Sequence, residues 1–192
     1  MKKAANSSIS LRNIHISDAF WRKYIRLVKD VIIPYQWDIL NDNLEGVETS
    51  HCIENFRIAA GEKQGEYYGA VFQDTDVAKW LEAVGFVLNF ERDEKLEKLA
   101  DEAIDLIGRA QQPDGYLNTY FTIKEPGLRW TNLTERHELY TAGHMIEAAV
   151  AYYESTGKEK FLDIVSKFAD LICRTFGPEE GQIHGYPGHQ QI

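Results

Sequence analysis

The sequence predicts an all-α fold, with helical hairpins set side by side as the first part of a toroid. Three observations predict it. Apolar residues recur at helical spacing through most of the chain. The segment WLEAV returns as MIEAA, and the two stretches then stay in register without a gap for about 30 residues. Each copy ends in a Gly-Tyr loop, Gly115-Tyr116 and then Gly185-Tyr186.

The elements follow in order. Ser17 reads as a helix N-cap with Asp18 in the first turn, ahead of Phe20, Tyr24, Leu27, Val28 and Val31 at helical spacing. Pro34 lacks an N–H and should kink or interrupt this helix, with a resumption expected through Trp37 and Leu40. Residues 41–72, with glycines at 46, 61, 65 and 69, read as one long irregular connection, and such connections are often functional. Asp74 or Thr75 then caps a helix with Val77, Trp80, Leu81, Val84, Val87 and Leu88 on its apolar side. After a break at 91–93, a second helix runs over 94–110, and Pro113-Asp114-Gly115 stops it. A loop, DGYLNTYFTIKEPGLRW, leads to a helix from about Glu135 to Ser155. Thr156-Gly157 breaks that one, and a last helix covers 158–175 before Gly177-Pro178. The final residues, His189-Gln190-Gln191-Ile192, read as the first turn of a helix that goes no further.

The repeat pairs Glu82 with Glu147, Glu94 with Glu159 and Asp105-Leu106-Ile107 with Asp170-Leu171-Ile172. Within each unit the first helix is small and apolar and the second carries more charge. That asymmetry predicts an inner and an outer layer. A toroid of six hairpins at about 65 residues each needs roughly twice this length or more. The 192 residues supply only part of one, so the chain reads as incomplete.

Composition narrows the function. Lys and Arg number 21 against 30 Asp and Glu, a formal charge of −9. Nucleic acid and anionic membrane surfaces want a basic face and are disfavoured as partners. No apolar run of signal-peptide or membrane-span length occurs, so a cytoplasmic protein is expected. Cys52 and Cys173 lie far apart without CxxC spacing and read as free thiols in a reducing compartment.

The densest chemistry lies in ERHELYTAGHMIEAA. His137 and His144 are seven residues apart, two helical turns, so they share a face with Tyr140 and Thr141. The preceding loop adds Tyr116, Asn118, Tyr120 and Trp130. Aromatic faces cover the C–H patches of a sugar while imidazole and amide groups fix its hydroxyls. His144 also reads simply as a core histidine. His137, beside a loop, is the better candidate for ligand contact, because neutral imidazole both donates and accepts. Asp74, Asp76, Asp114, Glu135 and Glu138 are the carboxylates available for acid–base work, but each also suits a cap or a turn, and no pair is singled out by spacing. His184 and His189 lack a Cys or carboxylate at ligand spacing, so no metal is expected on this segment.

These stretches resemble the N-terminal part of the catalytic domain of glycoside hydrolase family 127, the β-L-arabinofuranosidases. The resemblance rests on VIIPYQWDILND, ENFRIAAGE, VFQDTDVAKWLEA, IGRAQQPDGYLNTYF, RHELYTAGHMIEAAVAYYESTG and FGPEEGQIHGYPGHQQI, which run in order across nearly the whole chain. It implies an (α/α)6 barrel followed by β-sandwich domains, with residues 1–192 as the N-terminal portion of a single catalytic domain and no second domain in this chain. It implies a retaining hydrolase that removes terminal β-L-arabinofuranose from arabinose-containing glycans, with an arabinofuranosyl oligosaccharide or glycan as partner. It also implies zinc in the full-length enzyme, a cysteine nucleophile held by that zinc, further Cys and Glu ligands and a Glu acid/base. All of these fall beyond the GHQ motif, so no catalytic residue and no zinc are placed on this segment, and the chain alone is expected to give no turnover.

What the resemblance places here is sugar-binding. His137 of the HELY motif and His189 of the GHQ motif match residues that contact arabinose in the family. Asp76, Tyr116, Asn118 and Tyr120 lie in matching stretches and complete the candidate substrate-binding set. The family has an acidic residue where Gln191 stands, a departure that bears on local hydrogen bonding. A partial toroid should also self-associate through exposed apolar surface. Two rival readings keep the helices and change the function. One is a helical-repeat module that binds a protein; the other is a sugar epimerase or lyase on the same toroid.

Overall fold

A computed structural model describes residues 9–192. Helix α1 spans Ala19–Leu27, and it is capped by Asp18 rather than Ser17: the Asp18 carboxylate accepts the N–H of Trp21 at 2.9 Å. The α-helix is interrupted just ahead of Pro34, as expected, and then resumes. A π-helical stretch, Val28–Ile32, absorbs the irregularity, and α2 continues over Ile33–Leu40. The wider turn just ahead of the proline accommodates its missing N–H. The Trp80 indole then donates to the Ile33 carbonyl at 3.0 Å, and Trp80 stacks on Trp37 with ring centroids 4.4 Å apart.

The connection over 41–72 is not wholly irregular. It contains α3, Cys52–Ala59. No Ser or Asp caps α3 from the adjacent position; His51 stands there in the left-handed region, φ 53°. Asp42 does the holding from nine residues upstream, accepting the backbone N–H groups of Ser50 and His51 and pairing with the His51 ring. The Ser50 hydroxyl accepts the Cys52 N–H at 3.3 Å, while Asp42 fixes the turn ahead of the helix from a distance that leaves no local sequence signal.

Helix α4 (Asp74–Phe90) and α5 (Glu94–Ala110) form the first hairpin; α7 (Glu138–Thr156) and α8 (Lys160–Thr175) form the second. At an offset of 65 residues the two hairpins superpose to within one residue at every end. The layers follow the sequence reading. Helices α4 and α7 are buried around much of their circumference, whereas α8 buries a single stripe, Phe161, Ile164, Val165 and Phe168. The axes of α4 and α7 come so close that a Cβ on Gly85 would lie 2.8 Å from the Ala151 backbone. The charged outer positions join the repeats: Lys158 pairs with Glu97 and Asp101, and Lys160 with Asp105.

Other expectations shift. Asp74 does not cap α4. Its carboxylate accepts the backbone N–H and hydroxyl of Thr119, tying the following loop to the start of α4. That loop holds a short helix, α6 (Thr119–Ile123), and a single turn at Pro126–Leu128. Helix α7 starts at Glu138, later than Glu135, because His137 takes the left-handed region at φ 56°. Residues 188–192 are not helical; they lie against the start of α7, where the Gln191 carbonyl occupies the space a side chain on Gly143 would need. The two Gly-Tyr loops also part ways. Tyr116 is fully buried, and Tyr186 is 81% exposed.

Candidate sugar-binding wall

The site begins with a buried carboxylate. Glu138 opens α7 and accepts from the Tyr116 hydroxyl and from the Trp130 backbone N–H, the latter at 2.6 Å. Burial pushes its carboxyl up to about 7 in spite of those donors. Trp130, whose N–H it takes, and His137, the residue before it, are two of the four non-glycine residues with positive φ among the described residues. A non-glycine residue in that region costs about 1–2 kcal/mol. Such strain persists where the surroundings fix it and often marks a functional site.

The strain aims His137. Its Nδ1 lies 2.7 Å from the Glu135 carbonyl. A carbonyl can only accept, so Nδ1 carries a proton, and in the neutral tautomer Nε2 is left as an acceptor. The ring sits in a ladder: Phe72 at 5.2 Å, Tyr140 at 5.6 Å and His189 at 4.8 Å, centroid to centroid. Tyr140 extends the ladder to His189 at 5.2 Å and to His144 at 4.5 Å. His189 is held by its neighbours. The Gly188 N–H donates to the Leu133 carbonyl, and Gly188 packs so closely on Thr134 that no side chain would fit. Gln191 donates its amide to the Glu147 carboxylate at 2.5 Å. A carboxylate at position 191 would face Glu147 with like charge, so glutamine suits this contact.

A cavity of about 420 Å³ adjoins the ladder, lined by Gln36, Leu40, Ser50, Asp76, Lys79 and Trp80 among others. Asp76 is drawn upward by burial, partly offset by Lys79. Lys79 links cavity to ladder, since its ammonium lies 3.3 Å from both Thr75 Oγ1 and the Tyr140 hydroxyl.

The structure therefore brings His137 and His189 together, with Asp76 on the neighbouring cavity wall. Tyr116, Asn118 and Tyr120 are buried and have other partners. The Tyr116 hydroxyl is engaged by Glu138, Asn118 caps α6 by accepting from Phe121, and the Tyr120 hydroxyl accepts from Arg136 at 2.9 Å. Sequence spacing found Tyr140 but not Phe72 or Lys79, which reach the wall from another part of the chain. The lysine's place one turn after Thr75 on the inner helix was the available signal.

The zinc implied by the resemblance needs thiolate and carboxylate converging. Cys52 is buried, accepts from Gln73 and has its thiol pushed up to about 12, the reverse of a metal-ready thiolate. Cys173 is exposed on α8. The converging ligand group among the described residues contains no cysteine. These residues do not fit a cysteine-ligated zinc.

Paired helical hairpins in two layers, with imidazole and phenol rings gathered where an inner helix begins, define an α/α-hairpin protein. The chain belongs to the family of the β-L-arabinofuranosidase GH127 catalytic domain, whose profile matches residues 13–192. It is 42% identical to the non-reducing end β-L-arabinofuranosidase of Bifidobacterium longum subsp. longum, over 94% of this chain and 30% of that protein. A solved GH127 β-L-arabinofuranosidase from Geobacillus stearothermophilus T6 superposes with a TM-score of 0.93 at 64% identity, covering 94% of this chain and 28% of the other. A second solved GH127 β-arabinofuranosidase gives 0.84 at 35% identity, over 95% and 29%. The chain thus spans less than a third of the length of the relatives it matches. Among the described residues no helix is long and apolar enough to cross a membrane.

Proposed function

We propose that this chain forms part of the arabinose-binding wall of a retaining β-L-arabinofuranosidase acting on arabinofuranosyl glycans. The observation that carries the reading is the pairing of His137 and His189, rings 4.8 Å apart, in a protein whose relatives are named for that activity. His137 offers Nε2 to a sugar hydroxyl, and Tyr140 and Phe72 supply ring faces for the C–H side. Asp76 and Lys79 place an acceptor and a donor at the cavity edge. Tyr116, Asn118 and Tyr120 act as the layer that holds these groups in position. Zinc and the cysteine nucleophile belong to the same proposal only as chemistry contributed outside these residues. A reducing, cytoplasmic setting also belongs to it, resting on the unpaired Cys52 and Cys173. The imidazole and phenol rim favours a sugar ligand over the protein-scaffold alternative, because a scaffold has no need for such groups at one rim.

The test is a titration of the 192-residue chain with methyl β-L-arabinofuranoside, followed by histidine ring resonances in NMR. The rings of His137 and His189 should shift saturably while those of His15 and His184 stay put. Shifts absent at both residues, or reproduced equally by an unrelated hexose, would sink the reading.

A further inference from the structure

One turn beyond Tyr140 the ladder ends on a histidine with nothing to bond. His144 has a side chain only 11% exposed, and both of its ring nitrogens are sealed from solvent without a hydrogen-bond partner in the protein. Neutral imidazole carries one donor and one acceptor, and leaving either buried and unmet is destabilising. The nearest carboxylate is Glu147, on the same face of α7, with Oε2 at 3.8 Å from Nδ1, beyond hydrogen-bond reach. Across the inner-layer contact stands Glu82 on α4. Ligand atoms of Glu82, His144 and Glu147 all lie within 4.8 Å of one another.

The repeat explains why this group exists. Glu82 and Glu147 are the same position in successive hairpins. Close packing of α4 on α7, enforced at Gly85, turns that sequence equivalence into two carboxylates facing one pocket. Two like charges and an unpartnered imidazole make a poor hydrogen-bonded cluster and a coherent ligand set.

We propose that Glu82, His144 and Glu147 bind a divalent first-row cation, of the Zn²⁺ or Mn²⁺ kind, that ties α4 to α7 beneath Tyr140. Two carboxylates neutralise its charge, and an added imidazole selects these ions over Mg²⁺ or Ca²⁺. Metal–ligand bonds of about 2.1 Å put ligand atoms about 3.4 Å apart in a tetrahedron, so the three side chains need to close by roughly an ångström. The Glu147 side chain is 49% exposed and closes by rotating against its Gln191 contact. Two neighbours bear on the charge. The Lys79 ammonium bonds to Thr75 and Tyr140 yet acts on both Glu82 and His144, an opposing charge that the two carboxylates must outweigh, and the Gln191 amide engages Oε2 of Glu147. The repeat pairs Glu82 with Glu147 in sequence, but only the packing of α4 on α7 brings them to His144.

The test uses the 192-residue chain stripped of metal, titrated with ZnCl₂ and with MnCl₂, by calorimetry and, for Mn²⁺, by loss of the free-ion EPR signal. One cation per chain and a rise of several degrees in Tm are expected. Glu82→Gln and Glu147→Gln, each checked for folding by circular dichroism, should each weaken binding at least tenfold and abolish the Tm rise. Glu147 is on the surface, so its variant keeps the test open should Glu82→Gln fail to fold. Binding that survives unchanged in the folded variants would place the ion elsewhere, with the His137 and His189 pair as the obvious competitor, and overturn the proposal. Failure of the folded chain to bind either ion at millimolar concentration would overturn it equally.

Discussion

His137 carries two demands on one residue. Its backbone sits at φ 56°, where only glycine is at ease, and its ring sits between Phe72, Tyr140 and His189. Replacing it separates the two. His137→Gly should be more stable than His137→Ala by about 1 kcal/mol, because both lose the ring and only glycine relieves the strain. Chemical denaturation of the pair checks this; equal stabilities would mean the left-handed conformation costs nothing here. Next to it, Glu138 and Asp74 make stability depend on pH. Burial raises the folded carboxyls to about 7 and about 6, from 4.5 and 3.8. A raised carboxyl favours the folded state fully below its unfolded value, and that contribution is lost as pH climbs toward the folded value. The lost share is at most about 1.4 kcal/mol per pH unit for each group. Tm should therefore fall between about pH 4.5 and pH 7. Glu138→Gln should flatten the upper part of that fall. A Tm that instead rises through this window would show that the Tyr116, Trp130 and Thr119 donors outweigh burial.

At the level of elements, the decisive contact is between α4 and α7. Gly85→Ala sets two effects against each other. Alanine in a helix interior gains about 1 kcal/mol over glycine. Its Cβ would meet the Ala151 and Tyr152 backbone at 2.8–2.9 Å, and backbone cannot swing aside as a side chain can. Overpacking of that kind costs about 1–3 kcal/mol, so a net loss in urea denaturation is expected, and a gain would mean the two helices sit further apart. The four long helices of the two hairpins were legible in the sequence for a physical reason. Each is long enough for its apolar stripe to repeat several times, and the 65-residue repeat reports the same unit twice. What escaped notice was short or held from afar: α3, fastened by Asp42, and α6, whose start is fixed by Asp74 gripping Thr119. The wall was half legible. His137 and Tyr140 follow from spacing on one helix, and His189 from a motif. Lys79 and Phe72 arrive through tertiary packing, which no local pattern records.

For the molecule as a whole, the inner layer is packed and the N-terminal face is not. Helix α1 buries none of its residues. Phe20, Trp21, Tyr24, Leu27 and Val31 are 43–61% exposed, and the three rings lean on one another for want of another surface. A contiguous apolar patch of this kind is uncommon on a lone soluble chain and tends to find a partner. Charge opposes this, since the chain carries −9 and two copies repel. Salt removes the opposition, with a Debye length of about 10 Å at 0.1 M and about 3 Å at 1 M. The 192-residue chain should therefore self-associate in sedimentation velocity, more strongly as salt is raised. Trp21→Glu together with Tyr24→Ser should hold it monomeric without lowering Tm, because neither side chain is buried. Association that weakens with salt would point to ion pairing between copies instead. A chain that stays monomeric at high salt would mean that the aromatic cluster on α1 satisfies itself.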